Sequence, residues 1–265
     1  MKTYKAHYKD AKHDLDIDLN FTENDDYWLN FEIDGVTFKG TFVDFDLPYP
    51  EKYDCDKLPF TFFKRGGYIR DDGTKSGYIY SLCRYELDVV IPITVVRISD
   101  NKDMDAFIRL RYKVRERTEK DGGYNVVYMC DDKRVIPDIA DVYEFSLNIG
   151  DEVYYGKNTI DFEVALISIC RQIQDIYEMR CCLTCQYSDY SPYGRCEFGS
   201  MLCYRRYKEE YLKVNCKDDF FEYLEDLEHE FQPEIYLCNE YAPRIRCKGY
   251  RGYISDYFNF PGFIN

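Results

Sequence analysis

The sequence predicts an α+β protein: a β-rich N-terminal domain, then a helix leading into a small zinc-stapled α/β module. Three observations point there. Apolar residues alternate with period two through the first half of the chain, the pattern of half-buried strands. Near residue 160 the period becomes that of an amphipathic helix. Cysteine then becomes dense: only Cys55, Cys83 and Cys130 precede residue 160, whereas Cys170, Cys181, Cys182, Cys185, Cys196, Cys203, Cys216, Cys238 and Cys247 follow it. The expected domains are therefore 1–157 and 158–265.

Leu29, Phe31 and Ile33 alternate with Asn30, Glu32 and Asp34, and Asp34-Gly35 supplies a hairpin turn that needs positive φ. A returning strand is expected from Val36 to Phe45. Pro48-Tyr49-Pro50 opens a loop, and Phe60–Phe63 and Tyr78–Leu82 are short strand candidates. Tyr85–Ile98 reads as a strand interrupted at Pro92, hence an edge strand or a bulge. From Phe107 to Arg117 the alternation is strict, with Ile108, Leu110, Tyr112 and Val114 on one face and Arg109, Arg111, Lys113, Arg115 and Arg117 on the other. Such a basic row pairs with acidic neighbours more often than it binds an anion. Asn125–Met129 and Val142–Leu147 add strands, and Asn148 to Asp151 form a turn.

Asp161 to Arg180 is expected to be one helix capped by Thr159, with Phe162, Ala165, Leu166, Ile169, Ile173 and Ile176 on its apolar face. Tyr204–Val214 and Asp218–Glu230 read as two further helices. Phe220, Leu224, Leu227 and Phe231 form the buried stripe of the second, and Asp218 is its N-cap. Pro233 stops it, and Glu234 to Cys238 reads as a short extended return.

Composition bounds the function. The chain has 265 residues, 18% of them aromatic, with 28 Tyr and 18 Phe against one Trp. Disordered chains are aromatic-poor, and aromatics favour strands, so a packed β core explains this load better than a tyrosine-rich binding face. The formal net charge is −14 and the isoelectric point about 4.8. Nucleic-acid binding relies on Lys and Arg at phosphates, so this balance opposes it; acidic solubility alone explains it best, and steering of a basic protein partner is the functional alternative. The start of the chain lacks the apolar core of a signal peptide, and no apolar run is long enough to span a bilayer. A cytoplasmic location is the resulting expectation. Reducing cytosol turns a dense cysteine pattern from disulfides towards metal.

Cys182 and Cys185 form a Cys-x-x-Cys pair, the spacing at which two thiolates bend around one Zn²⁺. Cys203 and Cys238, on elements that return towards the pair, are the expected remaining ligands. Cys181 could replace Cys182, and Cys196, Cys216 or Cys247 could replace Cys203 or Cys238. No glycine follows Cys185 to ease the turn. A thioredoxin-like redox role is weaker, because the motif follows a helix instead of starting one.

The run Cys182-x-x-Cys185, Tyr187-Ser188-Asp189-Tyr190-Ser191-Pro192-Tyr193-Gly194 and Phe198-Gly199-Ser200-Met201-Leu202-Cys203-Tyr204-Arg205 resembles an uncharacterised bacterial family, a domain of unknown function. Lys208-Glu209-Glu210-Tyr211, Tyr236-Leu237-Cys238 and Gly249-Tyr250-Arg251-Gly252-Tyr253 extend the resemblance, which covers about residues 160 to 254. It implies that Cys182, Cys185, Cys203 and Cys238 are the recurring cysteines, and it implies no activity.

No His-Glu-x-x-His, Gly-x-Ser-x-Gly, P-loop or dinucleotide fingerprint occurs. A four-thiolate site has no open coordination position, so zinc here is expected to be structural. Asp189, Tyr190, Tyr193 and Arg251 are candidate binding residues, although an Asx-turn role for Asp189 is favoured. The expected function is a non-catalytic cytosolic protein-binding protein, of the type by which immunity proteins neutralise a basic toxin. The alternatives are an enzyme with a site at the domain interface, or a zinc-ribbon nucleic-acid binder supported locally by Arg205-Arg206 and Arg244 to Arg251.

Overall fold

A computed structural model describes residues 2–22, 29–67, 69, 73–118, 121, 127–192 and 198–244. The chain is β-rich. Its large sheet is built, in chain order, from β1 (Lys2–Lys9), β2 (Asp14–Phe21), β3 (Leu29–Ile33), β4 (Val36–Thr41), β5 (Asp44–Asp46), β6 (Thr61–Gly66), β7 (Tyr78–Cys83), β8 (Glu86–Arg97), β9 (Lys102–Arg115), β10 (Tyr128–Cys130), β11 (Lys133–Val135), β12 (Ile139–Ile149), β13 (Glu152–Tyr155) and β14 (Tyr177–Met179). The strand order is β11-β10-β6-β7-β5-β4-β3-β2-β1-β8-β9-β12-β13, with β14 also beside β8. Two compact units divide the chain: 1–22, 29–91 and 109–145 in the first, 23–28, 92–108 and 146–265 in the second. The second unit thus takes residues 92–108 and 146–157, which the sequence reading placed with the N-terminal domain.

In the first unit the expected hairpin at Asp34-Gly35 forms. Ile33 pairs with Val36, and Asp34 and Gly35 adopt φ of 52° and 73°, the left-handed pair that this turn requires. The return does not run unbroken to Phe45. It turns again after Thr41, which pairs with Asp44. Gly40 makes this possible, since a Cβ there would lie 1.8 Å from the Asp44 carbonyl oxygen. Aromatic rings fill the core: Phe31 lies 4.8 Å from Phe45, Phe38 4.9 Å from Phe60, and Tyr85 5.7 Å from Tyr8. The aromatic load of this unit is therefore largely spent on packing.

Pro92 does not break β8. The register with β1 ends at Val90 and that with β14 begins at Val95, so the residue without an N–H falls between two partners. Ile108, Leu110, Tyr112 and Val114 of β9 are buried as expected. Their basic neighbours pair with acids of the first unit: Arg109 makes two bonds to Asp88, Arg111 reaches Asp88 and Glu144, Lys113 meets Glu86, and Arg115 binds Asp121 and Asp141. Arg109, Arg111, Lys113 and Arg115 thus form surface ion pairs, each worth about 0–1 kcal/mol.

In the second unit the long helix is shorter than expected. It is α1 (Phe162–Ile173), and its N-cap is Asp161, which accepts from the Val164 N–H, and not Thr159. Residues Tyr177–Met179 leave the helix and pair with Arg97–Val95 as β14. Ile176 is consequently exposed, and Arg180 pairs with Glu178 instead of closing a helix. Backbone pairing to an available strand edge won over the helical period, a tertiary contact that spacing does not report. The two later helices are also short: α2 (Lys208–Tyr211) and α3 (Lys217–Tyr223), the latter capped at Cys216 and not at Asp218. Glu230–Gln232 became a strand, β17, in a three-stranded sheet ordered β15 (Ser188–Asp189), β16 (Met201–Cys203), β17. Phe220 and Leu224 still join Leu202, Tyr204, Tyr211 and Val214 in one apolar cluster, with Leu227 and Phe231 packed against it.

Two hairpin tips of the first unit meet at His13. Its Nδ1 lies 3.0 Å from Asp10 and its Nε2 3.1 Å from Asp34, and the ring stacks on Phe60. Burial opposes the charged ring, but the hydrogen bonds and charges of Asp10 and Asp34 outweigh it and raise His13 above its usual value. A raised folded-state value means that stability is fully contributed below the unfolded value of about 6.5 and lost as pH rises through the folded one. NMR titration is expected to place the His13 midpoint above that of a free histidine, and Asp34→Asn to bring it down. A midpoint insensitive to Asp34→Asn would remove the ion pair from the account.

Candidate functional site

The Cys-x-x-Cys segment is a single tight turn. Cys182–Thr184 forms one turn of 3₁₀ helix, with the Thr184 N–H on the Cys181 carbonyl and the Cys185 N–H on the Cys182 carbonyl, both at 3.1 Å. Cys185 leaves it extended, at φ −80°, so the absent glycine is not needed. The Thr184 hydroxyl donates to the Met179 carbonyl at 2.6 Å and accepts from the Cys181 N–H at 3.2 Å, locking the entry to the turn.

Distant chain is laced to this turn. The N–H groups of Cys182 and Leu183 donate to the carbonyls of Tyr236 and Glu234 at 2.8 and 2.9 Å, which sets Cys238 beside the pair. Glu234 to Cys238 makes these bonds without forming a strand. Gln186 N–H donates to Ala242 O at 2.8 Å, and the Arg244 guanidinium grips the carbonyls of Leu183 and Ser188 at 2.9 and 2.6 Å. Cys203 is brought in by sheet register, since it pairs with Ser188 on one side and Glu230 on the other. Ser188 also donates its hydroxyl to the Cys182 carbonyl.

The outcome is one small cavity walled by Cys181, Cys182, Cys185, Cys203 and Cys238, with Arg205 and Glu240 at its margin. Its free space is about 10 Å³, enough for one occupant the size of a water or an ion. The ten described cysteines are all free thiols. Burial holds Cys182 well above the usual thiol range, and the neighbouring Cys203, Cys181, Cys185 and Cys238 add to it. Burial also raises Cys203, with Arg205 opposing and Cys185 and Cys238 reinforcing. Neighbouring thiols thus discourage ionisation of Cys182 and Cys203, the situation that a bound divalent cation reverses. Among the described residues no group of three or more His, Cys, Asp or Glu side chains forms a ready-made metal site. The thiols share a cavity without being gathered at ligand distance.

The candidate binding residues Asp189 and Tyr190 face inward, 2% and 8% exposed. Asp189 accepts from the Tyr211 hydroxyl at 3.0 Å and from the Tyr190 N–H at 2.9 Å. The Tyr190 hydroxyl donates to Glu234 at 2.9 Å. Tyr193 and Arg251 lie outside the described residues, as do Cys196 and Cys247. Arg205 and Arg206 are both spent on Glu230. With Arg244 committed to carbonyl oxygens, the described arginines offered for nucleic-acid binding are internally engaged.

Sequence reasoning missed Glu163 and Glu234, and it offered Arg244 only for nucleic-acid binding and not for its grip on the turn. Glu234 is fully buried and also accepts from the Gly199 N–H at 2.9 Å. Glu163, in the first turn of α1, is only 3% exposed. Burial pushes its carboxyl up to about 8, with Asp161, Asp189 and Glu234 reinforcing and Arg244 partly opposing. Helical spacing could have found it, because residues 163, 166, 167 and 170 share one buried face. Glu234 and Arg244 lie in no periodic segment.

The fold and the site define a β-rich protein with a cysteine-rich region whose thiols share one internal cavity. The chain belongs to a family of unknown function (DUF6304), matched over residues 2–188. That match takes in Cys182 and Cys185 and ends before Cys203 and Cys238, whereas the motif resemblance runs from about 160 to 254. No curated protein and no solved structure matches the chain. Among the described residues no helix is long and apolar enough to cross a membrane.

Replacing Tyr190 by Phe removes its hydrogen bond to the buried Glu234 carboxylate, and about 1–3 kcal/mol of stability is expected to go with it. Urea denaturation checks this. A loss no larger than that of an exposed Tyr→Phe control, such as Tyr223→Phe, would mean that the bond carries nothing.

Proposed function

We propose that the chain is a non-catalytic protein-binding protein whose cysteine-rich region is stapled by one structural zinc ion on Cys182, Cys185, Cys203 and Cys238. The observation that carries the zinc reading is the convergence of these four thiols on a cavity with room for a single small occupant. They come from three separate stretches of chain, brought together by backbone hydrogen bonds and sheet register. An all-thiolate donor set suits Zn²⁺ and leaves no position for substrate. Ion binding would draw the thiols together, and its free energy would add to the folding free energy of this region. Cys181, the fifth thiol of the cavity, is placed outside the ligand set because it sits before the turn, against the Thr184 hydroxyl.

The partner reading rests on charge. Asp218, Glu222, Glu225, Asp226 and Glu228 are exposed on α3 and the turns after it, within a chain of net charge −14. Such a surface accelerates association with a basic protein and does so most at low salt. Neutralisation of a basic toxin, as by an immunity protein, is the finer form of this reading.

Elemental analysis of purified protein is expected to find one zinc per chain. Cys→Ser at 182, 185, 203 or 238 is expected to lose the metal and Cys181→Ser to keep it; metal-free protein, or retention by all four variants, would refute the staple. For the partner, co-expression with the product of a reading frame directly upstream is expected to relieve growth arrest. The triple variant Asp218→Lys, Glu222→Lys, Glu225→Lys is expected to relieve it less. Equal protection by the triple variant would remove the electrostatic argument.

A further inference from the structure

Buried acids are usually ionised only where hydrogen bonds or cations compensate them. In the second unit Asp189 and Glu234 meet that condition. Asp189 takes the Tyr211 hydroxyl and the Tyr190 N–H, and Glu234 takes the Tyr190 hydroxyl and the Gly199 N–H. Asp161 caps α1 through the Val164 N–H. Glu163 stands among these three acids without such compensation, and its Oε1 is buried with no hydrogen-bond partner. Arg244 is the cation acting on it, and two of that guanidinium's nitrogens already hold the carbonyls of Leu183 and Ser188.

We infer that Glu163 is a proton-loaded latch: it packs as a neutral acid, and its deprotonation destabilises the second unit by adding a negative charge beside Asp161, Asp189 and Glu234, where Arg244 is the opposing cation among the described residues. The start of α1 favours an anion, but by only about 0.3–1 kcal/mol. Removing an unpaired carboxylate from water costs several times that. Burial raises the Glu163 value to about 8, consistent with the neutral form near pH 7. Among the described residues, the charged and titratable groups acting on it are Asp161 from its own helix start, Asp189 from β15, Tyr190 beside it, Glu234 beyond β17, and Arg244.

The direction follows from proton counting. The folded protein keeps on Glu163 a proton that the unfolded chain has released above about 4.5, so stability falls as pH rises between that value and about 8, then levels.

The test uses the full chain in its isolated form. Urea unfolding is followed from about pH 5 to about pH 9 for wild type and Glu163→Gln, which keeps the shape and removes the titration. Within the window the wild-type folding constant is expected to lose up to tenfold per pH unit more than that of Glu163→Gln. In parallel, infrared difference spectra are expected to show a protonated-carboxyl carbonyl band in the wild type near neutral pH, bleached at alkaline pH and missing from Glu163→Gln. Identical pH slopes, or a neutral-pH band unchanged by the substitution, would overturn the latch. The infrared band decides the matter if the stability curves of the two proteins cannot be compared.

Discussion

The cysteine-rich region depends on one constraint: a tight turn at Cys182–Thr184 whose outward N–H groups must find acceptors inside the protein. Buried backbone donors left unpaired would cost about 1–3 kcal/mol each. Tyr236 and Glu234 supply those acceptors, and Arg244 returns to satisfy two carbonyls of the same stretch. Once these bonds form, Cys238 has nowhere else to be than beside the pair, and the β15–β16 register places Cys203 there too. The cavity is therefore a consequence of backbone accounting, and the thiols line it whatever fills it.

The two units treat charge in opposite ways. On β9 of the first unit, basic side chains at the surface answer acids on β8 and β12, arrangements that are easily formed and individually weak. Inside the second unit, Glu163, Asp189 and Glu234 are buried, with tyrosine hydroxyls and amide N–H groups compensating Asp189 and Glu234. Interior acids of this kind are costly to misplace, so they specify an arrangement more than they stabilise it. The tyrosine-rich composition thus has two outlets. Tyr8, Tyr85 and Tyr112 fill the first core, whereas Tyr190 and Tyr211 serve as hydrogen-bond donors in the second.

Much of the local structure was legible. The hairpin at Asp34-Gly35, the inward row of β9 and the apolar face of α1 follow from turn chemistry and periodicity, which act over a few residues. The length of α1 was not legible, because Tyr177–Met179 could continue a helix or join a strand, and the edge of β8 decided. The same holds for Glu230–Gln232, drawn into a sheet by β16, and for Pro92, tolerated where β8 changes partners. Among site residues, the spacing of Cys182 and Cys185 announced a turn, but Glu234 and Arg244 carried no pattern, since the partners described for them lie distant in the chain, between Leu183 and Gly199.

By itself the sequence determined what is local: which stretches alternate, where a turn needs positive φ, where the chemistry changes from aromatic strands to cysteine. Tertiary structure alone decided where helices stop, which thiols share a cavity and which acids are denied water. The physical reason is range. Propensity and periodicity are settled by neighbours along the chain, whereas hydrogen-bond satisfaction and desolvation are settled by whatever the fold brings alongside.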